Sequence, residues 1–522
     1  MPIPGGPRPT SVEPRPLAGV LARLGLGPTP AADGVLVTGV TLSSRTVRPG
    51  DLYAALPGAR THGAAYTADA ADAGAVAVLT DAEGAERAAA SGLPVAVVDD
   101  PRARLGELAA WVYGEPGTKL LTLGVTGTNG KTTTTCLLDA ALRAAGRRTG
   151  LVGTVELRLG DERIPSTGTT PESPDLHALL AAMVERGVEV CSLEVSSHAL
   201  ALHRVDGLVV DVAAFTNLSQ DHLDLHGSME AYFAAKASLF TPERARRAVV
   251  CVDDAWGVRL AGLAGVPVTT VTTRPGGVAD WRVVDEGVDG GLPVARVAGP
   301  GGRELALRSP LPGRFNLANA LVALAVLVEA GLDAEDAAAA LAVAGPVPGR
   351  MERVGDPGVP AGAPLAVVDF AHSPDAVEQA LDALGTSGRP LVVVLGAGGD
   401  RDREKRPLMG AAAANGADVV VVTDDNPRSE DPAAIRAAVR EGAERAAARS
   451  GAVVLEVAGR RAAVVEAVRR AWPGGVVLVA GKGHEQGQEV GGVVHPFDDR
   501  AALRAALDEV AADPTRQQEG VR

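Results

Sequence analysis

GVTGTNGKTTT, Gly124 to Thr134, is the stretch that decides the fold. An apolar run, Leu120 to Val125, leads into it, and a helix-like segment, Thr132 to Ala145, follows at once. A strand ending in a glycine-rich turn at the start of a helix aims backbone N–H groups and the positive end of the helix dipole at one point, which suits a phosphate. Lys131 adds a charge for the outer phosphates, and the Thr132 hydroxyl is placed for a magnesium ion. The strict phosphate-loop spacing wants glycine where Val125 stands, and Gly124 and Gly127 flank that slot instead.

Outward from this loop, short apolar runs alternate with Ala/Leu-rich helical patterns, the signature of α/β domains with largely parallel sheets. A chain of 522 residues exceeds one core, and three domains are expected: 1–117, 118–346 and 347–522. Residues 1–15 and 511–522 read as mobile tails. With 50 Lys and Arg against 64 Asp and Glu, the formal net charge is −14, which argues against nonspecific nucleic-acid binding and against an anionic-lipid surface. The N-terminal residues lack a signal peptide's apolar core and no run has the length of a membrane span, so a cytoplasmic protein without membrane insertion is expected. Cys136, Cys191 and Cys251 are odd in number and widely spaced, and read as reduced thiols.

In the first unit, Thr41 to Gly58 reads as a polar loop, a tight turn and a short strand, with Ser44 and Arg45 able to hold a phosphate or sugar or simply to cap the turn. In the second, the apolar run Val188 to Val195 puts Glu194 near the carboxyl end of a strand, where parallel sheets collect ligands and a carboxylate can bind a nucleotide's magnesium. Asp221, His222, Asp224 and His226 crowd a segment that supplies either a second cation site or turn caps. Lys236 falls on a predicted helix, Ala231 to Phe240, among apolar residues; it is either solvated or a lysine of lowered pKa able to form a carbamate with carbon dioxide. A small β region is expected near Val268 to Leu307, then a buried helix, Gly313 to Asp333, presenting Asn316 and Asn319. A Pro-Gly hinge, Pro346 to Val354, opens the third unit. There, strands at Leu365 to Phe370, Leu391 to Leu395, Val419 to Thr423 and Val476 to Ala480 end in DFAHSPDA, GAGGDRDREKR, DDNPRSEDP and GKGHEQG. Four polar loops thus gather at one sheet edge, where Arg401 and Arg428 can clamp a carboxylate and Glu485 can face an ammonium group.

GVTGTNGKTTT, LEVSSHAL, NLSQDHLDLHG, the Lys236 helix, GRFNLANAL, GRMERV, DFAHSPDA, GGDRD, DNPRSEDP and GKGHE occur in the order found in the Mur ligases, a family the chain resembles over nearly its whole length. The resemblance implies an α/β protein of three domains: an N-terminal UDP-sugar domain, a central P-loop ATPase-type parallel sheet, and a C-terminal Rossmann-like domain for the incoming amino acid. It implies an ATP-dependent amide ligase of peptidoglycan precursor synthesis acting through an acyl phosphate, with ATP and Mg2+ as cofactors and a single chain as the working unit. DNPR resembles the version that adds diaminopimelate to a UDP-muramoyl dipeptide; a relative adding another amino acid and a folylpolyglutamate synthetase are the neighbouring alternatives. A nucleotide-dependent switch is the rival of another class, and it would not need four ligand-type loops.

By motif position, Gly127, Thr128, Asn129, Gly130, Lys131, Thr132 and Thr133 would hold ATP, with Asn316, Asn319, Arg350 and Asp369 as further nucleotide contacts. Thr132, Glu194 and His222 would serve magnesium with a carbamylated Lys236, and Lys131, Glu194, His222 and Lys236 would be catalytic. Leu42, Ser44, Thr169, Thr170, Ser196 and Arg204 would bind the UDP-muramoyl dipeptide, while Arg401, Asp425, Asn426, Pro427, Arg428, Gly481 and Glu485 would bind diaminopimelate. Leu202 stands where relatives often carry a substrate-contacting glutamine.

Overall fold

The computed structural model describes residues 6–58, 60–166, 168–355, 362–385 and 388–512. Of the two stretches read as tails, 1–5 and 513–522 lie outside the described residues. The rest of the first stretch is not loose: Arg8 is buried and donates to both carboxylate oxygens of Asp51 at 2.8 and 2.7 Å, and Thr10 N donates to Glu185 at 2.9 Å. A buried guanidinium is costly unless a carboxylate pairs with it in this way. Asp51 is 43 residues away, beyond the reach of a local reading.

Among the described residues the chain forms three larger sheets. In the first, Gly39–Thr41, Asp51–Ala55, Ala77–Thr80 and Val95–Val97 lie parallel in chain order.

The central sheet has eleven strands. Seven run parallel in the spatial order Thr149–Val152, Val190–Glu194, Leu121–Thr126, Val210–Phe215, Ala245–Cys251, Val268–Thr272 and Trp281–Asp289. Glu156–Leu159 and Glu162–Pro165 extend one edge antiparallel, and Leu292–Ala298 and Glu304–Arg308 extend the other. The β region expected near Val268 to Leu307 is therefore a continuation of this sheet. Leu121–Thr126 is buried on both faces: Leu121, Leu123 and Val125 face the core built with helices Lys131–Ala144 and Arg314–Glu329, and Thr122, Gly124 and Thr126 alternate onto the side where Ser173–Glu185 helps build a second core. The helix expected at Ala231 to Phe240 runs Met229–Ala237, capped by Ser228 Oγ accepting from Ala231 N at 3.2 Å, and ends in a tight turn, Ser238–Phe240.

The third sheet has five parallel strands in the order Leu365–Asp369, Val476–Ala480, Leu391–Leu395, Val419–Val422 and Val453–Glu456, with Glu352–Arg353 antiparallel outside the first. A hairpin, Gly487–Val490 with Val493–Pro496, follows. Among the described residues no helix is long and apolar enough to cross a membrane, and all three cysteines are free thiols.

Candidate functional site

Strand order sets the site. Leu121–Thr126 lies between Val190–Glu194 and Val210–Phe215, with Glu194 paired to Val125 and Phe215 to Thr126, so the loops after all three strands meet. Gly130 carries φ +86°, and a Cβ there would stand 2.3 Å from Asn319 Oδ1, so the loop passes the Arg314–Glu329 helix with no room for a side chain. Lys131 Nζ donates to the carbonyls of Gly127 and Thr128, both at 2.9 Å. Burial lowers the Lys131 pKa, with Glu194 and Asp221 opposing.

Glu194, 1% exposed, is held by Thr132 Oγ1 at 3.0 Å, Thr154 N at 2.7 Å and Thr154 Oγ1 at 3.1 Å. Arg350 Nη2 donates to Thr132 Oγ1 at 3.0 Å, and its guanidinium lies 4.4 Å from the centre of the Phe370 ring. Asp369 takes Met351 N at 2.7 Å. Lys236, 1% exposed, donates to Gly127 O at 2.7 Å beneath the loop and stands 4.5 Å from the Tyr232 ring centre. Burial first, then the Lys131 charge, lowers the Lys236 pKa well below the ordinary lysine value, favouring a neutral amine. His222 is edge-on to His198 at 4.8 Å, and burial pushes its pKa down to about 4.

The carboxyl ends of the third sheet close the other side. Arg428 Nη1 donates to Gly399 O at 2.6 Å, its Nε lies 3.5 Å from Glu489, and its own N donates to Glu489 O at 3.0 Å. Asn426 Nδ2 donates to Glu485 at 2.8 Å. The two sheets touch through Asn129 Nδ2 donating to Asp375 at 3.0 Å and through Lys405 and Asp221, 3.8 Å apart. Burial alone would raise the Asp221 pKa, but His372, His222 and Lys405 hold it down to about 2.

One cavity of about 410 Å³ spans this junction. It is lined by Thr128, Asn129, Gly130, Lys131, Thr132, Thr133, Thr169, Glu194, His222, Asn319, Arg350 and Asp369, and by Arg401, Asp425, Asn426, Arg428, Gly481 and Glu485. Of the remaining expected residues, Gly127, Lys236 and Asn316 lie just behind the lining, and Pro427 sits within the Arg428 loop. Thr170, Ser196 and Arg204 form an adjoining cluster: Thr170 Oγ1 donates to Glu194 O at 2.8 Å, Ser196 N to Thr170 Oγ1 at 3.2 Å, and Arg204 Nη1 to Thr170 O at 3.3 Å. Leu42 packs on the N-terminal core and Ser44 starts a short turn, Ser44–Thr46, neither lining the cavity.

Sequence reading missed Thr154, His372, Lys405 and Lys482. The last three lie inside quoted motifs, whereas Thr154 carries no local signal. For magnesium, Glu194 and the Thr132 hydroxyl supply hard oxygen donors in contact beside the loop, which fits that cation. Among the described residues no group of three or more His, Cys, Asp or Glu is arranged to hold a metal.

Three family models match the chain: "Mur ligase family, catalytic domain" over 36–113, "Mur ligase middle domain" over 125–327, and "Mur ligase, glutamate ligase domain" over 349–483. The chain is 55% identical over 511 residues to a "UDP-N-acetylmuramoyl-L-alanyl-D-glutamate--2,6-diaminopimelate ligase" of Streptomyces avermitilis, covering 98% of this chain and 99% of that one. It is 49% identical to a "UDP-N-acetylmuramyl-tripeptide synthetase" of Leifsonia xyli, covering 97% and 99%. A solved structure of a ligase with the first of these names superposes with a TM-score of 0.63 at 33% identity, covering 91% of this chain and 95% of that one. The chain belongs to the Mur ligase family, whose members are ATP-dependent amide ligases.

Proposed function

We propose that this chain adds diaminopimelate to UDP-N-acetylmuramoyl-L-alanyl-D-glutamate at the expense of ATP, as the names of its relatives suggest. The observation that carries the reading is the single cavity that joins the phosphate loop and Glu194 to Arg428, Asn426 and Glu485. A carboxylate is a poor electrophile, so the γ-phosphate is first transferred to the glutamate side chain, giving an acyl phosphate and ADP. The amine of diaminopimelate, having lost its proton, then attacks the acyl carbon; the amide forms and phosphate leaves.

The chain's own groups divide this work. The loop amides and Lys131 hold the phosphates and offset charge during transfer. Asn319 and Arg350 border the nucleotide end, with Asn316 bracing Asn319 through a 3.0 Å hydrogen bond. Magnesium, held by Thr132 and Glu194, would neutralise phosphate charge when bound. Lys236, its pKa lowered by burial, can form a carbamate that adds a carboxylate near His222. Thr169, Thr170, Ser196 and Arg204 receive the UDP-muramoyl dipeptide, whose uridine end reaches Leu42 and Ser44. Arg428 and Arg401 take the far carboxylate of diaminopimelate; lysine lacks it and would leave a guanidinium unmet. The cavity is complete within one chain, which supports a monomer, and nucleotide-linked substrates support a cytoplasmic location.

Mass analysis of the products tests the reading. The UDP-muramoyl dipeptide should gain one diaminopimelate less water, only with ATP present. An unchanged nucleotide sugar under those conditions would refute it.

A further inference from the structure

Lys482 follows Gly481 at the carboxyl end of Val476–Ala480, and it is 0% exposed. Its Nζ donates to Glu485 Oε2 at 2.9 Å and to Asn426 Oδ1 at 3.0 Å, and lies 3.5 Å from Asp425 Oδ1. A buried ammonium is costly unless its protons are met, and here one carboxylate and an amide accept from it while the second carboxylate adds its charge. The nearby Arg460 is matched by Asp499 through two 2.7 Å hydrogen bonds, so that pair cancels. Asp425, Glu485 and Lys482 together therefore carry one net negative charge.

The contacts also fix what the wall presents. Asn426 Oδ1 accepts from Lys482 and from Glu489 N at 3.0 Å, which settles the amide's orientation and turns Nδ2 toward Glu485 Oε2 at 2.8 Å. Glu485 Oε2 thus takes two hydrogen bonds, while among the described residues Oε1 takes none. We infer that Lys482 is a positioning residue for the incoming amino acid: it anchors Glu485 and Asn426 so that Glu485 Oε1 stays free to accept the substrate's ammonium. The inference rests on the diaminopimelate reading above.

Steady-state kinetics of wild type, Lys482→Met, Glu485→Gln and the double variant test it. Lys482→Met should raise the KM for diaminopimelate about tenfold to a hundredfold and leave the KM for ATP within about twofold. Because Lys482 acts through Glu485, the double variant should differ from Glu485→Gln alone by no more than about threefold. An unchanged KM for diaminopimelate in Lys482→Met, or an equal rise for ATP, overturns the role. Where Lys482→Met does not fold, since it leaves two carboxylates together, the double variant removes one charge of each sign and decides the question. A loss about tenfold or more beyond Glu485→Gln then overturns the proposal. Wild-type turnover that ignores diaminopimelate would instead strike the substrate reading itself.

Discussion

Arg350 Nη2 donates to Thr132 Oγ1 at 3.0 Å, so a residue just before the third sheet rests on the first turn of the helix that opens at the phosphate loop. Thr132 in turn donates to Glu194, and Arg350 stacks on Phe370. Through these contacts the two halves of the cavity meet at the hydroxyl next to Lys131. Arg350→Ala should therefore lower kcat/KM for ATP about tenfold to a hundredfold, from the loss of one charged hydrogen bond and its ring contact. An effect confined to the KM for diaminopimelate would contradict this placement.

Burial lowers the Lys236 pKa well below the ordinary lysine value, and its Nζ donates to Gly127 O at 2.7 Å. Lys236→Ala should lose nearly all activity, and short carboxylic acids added to the assay should restore part of it by standing in for the carbamate. Wild-type turnover in the variant would end the assignment.

Asp175 gives a test of stability rather than catalysis. Burial pushes its carboxyl up to about 6 despite the attraction of Arg8. The folded chain therefore keeps a proton there that the unfolded chain, with a carboxyl near about 3.9, gives up. The contribution of this group to stability is full below the unfolded value and falls as pH rises from about 4 through 6. Asp175→Asn should remove that fall and stabilise the protein at pH 7 by on the order of 2 to 3 kcal/mol, read by denaturant unfolding at several pH values. An unchanged pH profile would contradict it.

Arg428 is pinned by Gly399 O and borders Glu489. Arg428→Ala should raise the KM for diaminopimelate about a hundredfold while changing that for ATP little. Equal effects on both would place Arg428 outside the amino-acid site.

These sites differ in how far local sequence reveals them. Gly124 to Thr134 declares itself, because strand, glycine turn and helix are all local patterns and the phosphate-binding geometry follows from them. The loops after Leu365–Asp369, Leu391–Leu395, Val419–Val422 and Val476–Ala480 are legible for the same reason. Val453–Glu456 escapes notice: it is a four-residue edge strand with no buried residue, so its pattern is weak. Arg8 reads as part of a tail since its partner Asp51 comes from a distant strand. Thr154 and Lys482 matter through contacts 40 and 56 residues away, with Glu194 and Asn426. The state of Lys236 depends on burial, and only the packed structure decides between a solvated lysine and a neutral amine.

The most direct measurement is phosphate release from ATP by the purified chain with the UDP-muramoyl dipeptide present and either diaminopimelate or lysine as the amine. Release should need both the dipeptide and diaminopimelate, with lysine poorer by about a thousandfold or more in kcat/KM, because it cannot meet Arg428. Comparable turnover with lysine would contradict it.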